Sequence, residues 1–79
     1  MGRVIVEFSE CREVIVDGKS QGNNKNEQGE YRALLIGDGL HTFRLGGEQN
    51  YTPPWQSVEV GTGSVIRPQS VVFKKISRS

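Results

Sequence analysis

Val14-Ile15-Val16-Asp17-Gly18-Lys19 and, further along, Asp38-Gly39-Leu40-His41-Thr42-Phe43-Arg44-Leu45 are the stretches whose reading decides the fold. Each alternates apolar with polar residues beside an Asp-Gly pair, the punctuation of an antiparallel turn. Val14 and Val16 share one face, with Glu13, Ile15 and Asp17 on the other. His41, Phe43 and Leu45 face one way, Thr42 and Arg44 the other. The same period of two runs outward through Val4, Val6 and Phe8, through Val58 and Val60, and through Val71 and Phe73 set against Val72 and Lys74. Glu30 to Ile36 also has strand character, and no segment carries apolar residues at helical spacing over the length of a helix. The pattern predicts an all-β chain, a small antiparallel β-sandwich of six or seven strands with no substantial helix.

The breaks between these runs set the organisation. From Lys19 to Gly29 there is no apolar residue to anchor the chain in a core, so an exposed, mobile loop is expected there. Gly46 to Asn50 interrupts the alternation. Tyr51-Thr52-Pro53-Pro54-Trp55 restarts it with prolines that cannot donate to a central ladder, which places this segment at an edge or outside the sheets. Gly61-Thr62-Gly63 reads as a turn, and Pro68 as a divider between short pieces at Val65-Ile66 and Gln69 to Ile76. Lys74 and Lys75, with Arg78, read as a solvated tail. Seventy-nine residues make one domain, 1–79, with its core between about 4 and 76.

Ten Lys and Arg against nine Asp and Glu leave a net charge of +1, too balanced and too scattered to point to nucleic acid or an anionic membrane. A single cysteine, Cys11, cannot form an intramolecular disulfide and is read as a packing or edge residue. The apolar run Val4-Ile5-Val6 ends at Glu7, shorter than the roughly 7–15 residues of a signal peptide, and no transmembrane span is present in the chain as given. Compartment stays open: the cytoplasm, or a module of a longer envelope protein.

The chemistry-bearing residues do not assemble on sequence spacing. His41 is the only imidazole, and its place in the alternation leans it toward the core or its margin. No acid or nucleophile stands at a recognisable distance from it, so no catalytic residue is assigned. One His and one Cys cannot supply a zinc site, and Asp17, Asp38 and Glu48 fall in separate turns rather than in a calcium loop. The Gly-x-Gly pairs at Gly37/Gly39 and Gly61/Gly63 precede no helix, so they offer no phosphate cradle. No metal or cofactor is expected. Tyr51, Pro53, Pro54 and Trp55 form the one aromatic concentration. It reads either as core, with Trp55 plugging an open end, or as a flat binding platform flanked by Asn50 and Gln56. Asn50-Tyr51-Thr52 also satisfies the glycosylation triplet.

Together these elements resemble the PEGA domain family, small β-sandwich modules of bacteria and archaea. Val14-Ile15-Val16-Asp17-Gly18 matches the strand ending in an Asp-Gly turn, and Gly22 the second glycine. Gly39-Leu40-His41-Thr42-Phe43 matches the Gly-x-His strand, and Gly47 through Tyr51-Thr52-Pro53 the Gly-rich to Tyr-Pro stretch. Val58-Glu59-Val60-Gly61 resembles the strand and turn that follow, so the match spans about residues 4 to 74. Asn23-Asn24-Lys25 stands where the family commonly has Thr-Pro, and the Pro-Glu-Gly-Ala motif is not spelled before Gly39. The resemblance implies an Ig-like or PEGA-like sandwich with no catalytic residues, attached to varied proteins. The expected function is a non-catalytic module for protein–protein or cell-envelope interaction, or a rigid spacer, with an edge strand able to pair with another copy. The alternative is a carbohydrate-binding module stacking sugars on Tyr51 and Trp55, with Asn50 or Gln56 as hydrogen-bond partners.

Overall fold

The computed structural model describes residues 2–61 and 67–76. Within them the chain is all strand, with no helix: β1 (Gly2–Glu7), β2 (Glu13–Val16), β3 (Lys19–Asn23), β4 (Leu34–Ile36), β5 (Gly39–Leu45), β6 (Tyr51–Thr52), β7 (Gln56–Val60), β8 (Gln69–Val72) and β9 (Lys74–Lys75). One sheet runs β4-β1-β8, a second β3-β2-β5-β7, and β6 pairs with β9. Every pairing is antiparallel except β1 with β8, which is parallel and sets Val6 opposite Val71.

Alternation places the core. Val4 and Val6 of β1, Leu34 and Ile36 of β4, and Val71 of β8 turn inward from one sheet. Val14 and Val16 of β2, Phe43 and Leu45 of β5, and Val60 of β7 turn inward from the other. Phe8, Tyr51 and Phe73 join them in a single apolar cluster shared by both sheets. The β-branched and aromatic side chains that suit a pleated surface are thus the ones spent on the core.

The two Asp-Gly pairs do different work. Asp17-Gly18 closes the β2–β3 hairpin, with Val16 opposite Lys19 and φ of 51° and 81° at the two turn residues. Positive φ at both positions gives the twist that two antiparallel strands need. Asp38-Gly39 closes no hairpin, because β4 and β5 belong to different sheets. There the chain crosses between sheets, and Gly39, at φ 116°, opens β5 in a conformation a side chain would resist.

Three expectations are corrected. The polar run from Lys19 is not an exposed loop throughout: its first half is edge strand β3, paired to β2, and Asn24 is 0% exposed. Beyond it, Asn26 Oδ1 accepts from the amides of Gln28 and Glu30, and Lys25 bridges to Tyr31, which folds the excursion back. Backbone pairing and one buried amide replace the missing apolar anchor. Nor are Lys74 and Lys75 a solvated tail, since they form β9, and Lys75 Nζ lies 2.8 Å from Glu10. Finally, the strands number nine short ones among the described residues rather than six or seven, because the run from Gln69 breaks at Phe73 and β6 is a separate pair of residues. Thr62, Gly63, Val65, Ile66 and Arg78 lie outside the described residues.

Candidate functional site

The four residues expected to make a binding surface are split apart. Tyr51, on β6, is 3% exposed. Its ring meets Phe8 and Phe73 edge-on, at centroid distances of 5.9 and 5.3 Å. Its hydroxyl donates to the Leu45 carbonyl at 2.8 Å and accepts from the Leu45 amide at 3.2 Å. Tyr51 is therefore a core side chain, and a two-ring platform with Trp55 does not form. Trp55 is 57% exposed, so it plugs no end of the molecule, and Pro53 and Pro54 beside it are exposed as well.

Asn50 and Gln56 carry structural bonds. Asn50 Oδ1 accepts from Arg12 at 2.8 Å, and its carbonyl accepts from the amide of Ile76. Gln56 Nε2 donates to the Val72 carbonyl at 2.5 Å, reaching from β7 to β8. Gln69, on β8, returns the gesture: its Nε2 donates to the Glu59 carbonyl at 2.8 Å and its Oε1 accepts from the Gly61 amide. The facing edges of the two sheets are stitched on this flank by side-chain amides instead of a ladder.

Arg12 is a second organiser that sequence reading passed over. Its guanidinium, 13% exposed, donates to the carbonyls of Gly46 and Glu48 and to Asn50 Oδ1, pairs with Glu10 at 3.2 Å, and lies 5.7 Å from the ring centres of Phe8 and Tyr51. A planar fork with five donors suits this gathering of carbonyls better than an ammonium would. Glu10 also bonds Lys75, and that bond first, then Arg12, holds its carboxyl below the usual range.

His41 has an acid beside it after all. The register that puts Val16 opposite Phe43 brings the β2–β3 turn against Thr42 and His41. Asp17 Oδ2 is 2.6 Å from His41 Nδ1, and Asp17 Oδ1 accepts from the Thr42 amide at 2.9 Å. The other ring nitrogen, Nε2, lies 2.7 Å from the Gly37 carbonyl, an oxygen that can only accept. The imidazole is thus placed to donate from both nitrogens. The Asp17 bond, and then the Gly37 carbonyl, raise its pKa, while the Thr42 amide and then His41 lower that of Asp17. In this arrangement neither nitrogen offers a lone pair to a substrate or a metal, and the pair reads as a clamp between the β2–β3 turn, β5 and the crossing at Gly37. Only strand register could have revealed it, because nothing in the linear spacing joins positions 17 and 41.

The clamp stands at the end of an open groove of about 220 Å³, lined by Val16, Lys19 and Gln21 on one side and Leu35 and Ile36 on the other. A second depression, of about 340 Å³, is lined by Cys11, Lys25, Asn26, Glu27 and Arg32. Cys11, expected as a packing or edge residue, is exposed there, with its Sγ 3.7 Å from the Lys25 carbonyl. Among the described residues no three His, Cys, Asp or Glu converge as metal ligands, and no helix is long and apolar enough to cross a membrane. No protein-family model, curated protein or solved structure matches the chain.

Proposed function

We propose that this domain is a non-catalytic β-sandwich module that works by contact with another protein or a cell-envelope component, in the manner its PEGA-like sequence suggests. The observation that carries the reading is Trp55. A chain this short buries Phe8, Phe43, Tyr51 and Phe73, yet leaves its one indole 57% exposed beside two exposed prolines. Tryptophan is enriched among the residues that anchor protein interfaces. The reading is further supported by His41, whose ring is committed to Asp17 and Gly37. The two stretches that carry the family resemblance meet in that clamp, so the signature residues serve the fold.

A carbohydrate-binding role keeps one element, the exposed indole, but without Tyr51 it would rest on a single ring. The two readings separate in one experiment, in which the domain is screened against a phage-displayed peptide library and a glycan array. Peptide ligands that quench Trp55 fluorescence, and that weaken at least tenfold on Trp55→Ala, are the expected result. Glycan binding with the same quenching would replace this reading by the alternative, and turnover of any substrate that vanished on His41→Ala would end both.

A further inference from the structure

The two flanks of the molecule treat their sheet edges differently. On one, Gln56 and Gln69 span from β7 to β8 and occupy the carbonyls of Val72 and Glu59. On the other, β3 and β4 each have a strand on one side only among the described residues, and they face each other across the groove. The gap is bounded at both ends. Arg32 donates to the Asn23 carbonyl at 3.0 Å at one, and the His41 bond to the Gly37 carbonyl closes the other. Between them β4 keeps an open edge, with Leu35, 60% exposed, at its centre. Open edges of this kind are the places where proteins accept an added strand, and natural sheets usually blunt them.

Charge indicates what fits. Lys19 lines the groove and makes no ion pair among the described residues, and the one carboxylate lining it, Asp17, is bonded to His41 and the Thr42 amide; beyond the groove, in the second depression, the guanidinium of Arg32 bonds the Asn23 carbonyl and no carboxylate. The edge strand between these two cations carries an apolar side chain on its outer face and a hollow floored by Val16 and Ile36 on its inner face.

We infer that this groove receives an extended peptide segment of a partner protein, added as a strand to β4, with alternate apolar side chains and acidic flanks. Its backbone bonds to the free edge of β4, one side chain fills the groove, its neighbour packs on Leu35, and carboxylates meet Lys19 and Arg32. The inference deepens the interaction-module reading but places its contact on a surface separate from Trp55.

The test uses a phage-displayed library of ten-residue peptides against the whole chain, with synthetic copies of the enriched sequences titrated into isotopically labelled protein. The expected peptides alternate apolar residues between Asp or Glu, slow the hydrogen exchange of amides at positions 35 to 37, and weaken as salt rises. Leu35→Glu should weaken them at least tenfold and Lys19→Glu several-fold; both side chains are exposed, and unchanged thermal unfolding checks that each variant is folded. Failure to enrich any peptide, affinity for both variants unchanged from the parent, or self-association of the chain through β4 would each overturn strand addition. Peptides that weaken on Trp55→Ala but not on Leu35→Glu report the separate Trp55 surface; a library that yields those and no others would overturn strand addition while leaving the interaction-module reading intact.

Discussion

Asn24 shows how much one polar side chain can hold. Fully buried, it accepts from the Arg12 amide at 2.8 Å through Oδ1 and donates through Nδ2 to the carbonyls of Val6 and Glu10. Asn24→Ala strands these buried groups, and the expected loss in urea unfolding is about 1–3 kcal/mol, although the variant removes no apolar contact from the core. The Asp17–His41 clamp makes a different prediction, in pH. The folded His41 pKa is raised above the ordinary 6.5, so its contribution is complete below that value and is lost as pH rises through the raised one. Asp17 is lowered from 3.8, so its contribution is present above that value and lost as pH falls through the lowered one. The clamp should therefore stabilise most in the window between 3.8 and 6.5, and His41→Ala should flatten the alkaline limb of a plot of urea midpoint against pH. A variant that kept that limb would remove the clamp from the account.

The hairpin at Asp17-Gly18 and the glutamine stitches govern how strands end and meet. Gly18 has φ 81° with open space around it, so Gly18→Ala meets no clash and should cost roughly 1–2 kcal/mol from backbone conformation alone. The β2–β3 turn was legible in advance because its chemistry is local: two residues, both able to take positive φ, between alternating runs. The outcome at Asp38-Gly39 was not legible, since a turn signal says that the chain bends and not which sheet it bends into. That Gln56, expected beside a binding platform, and Gln69 would stitch the two sheets was equally silent in sequence. Their joint replacement by Ala frees the carbonyls of Val72 and Glu59, and light scattering at rising concentration should then show more self-association than the parent chain does. A double variant that stays monodisperse would show that these edges are guarded by something else.

Across the domain, both sheets pour their apolar faces into one cluster, so the energetic difference between its two amphipathic aromatics is large. Tyr51→Ala opens a hole among Phe8, Leu45 and Phe73 and should lower stability by about 3–5 kcal/mol, a major part of the roughly 5–15 kcal/mol available to a domain. Trp55→Ala touches an exposed ring and should stay within about 0.5 kcal/mol of the parent. Thermal unfolding of the two variants side by side checks the contrast, and equal losses would contradict the burial of the one and the exposure of the other. The pairing of β6 with β9, Tyr51 opposite Lys75, is what draws Tyr51 inward.

The alternation in Val4 to Phe8, Glu13 to Val16, His41 to Leu45 and Val71 to Phe73 was enough to establish strands, their inward faces and hence an all-β chain, because a period of two is a property of neighbours along the backbone. Which turn closes a hairpin, that β1 and β8 run parallel, that Asp17 finds His41, that Arg12 and Asn24 tie down polar loops, and that Tyr51 goes in while Trp55 stays out were settled only on folding. Each of these depends on which distant strands lie side by side, and that choice is made by the packing of the two apolar faces against each other rather than by any local preference of the chain.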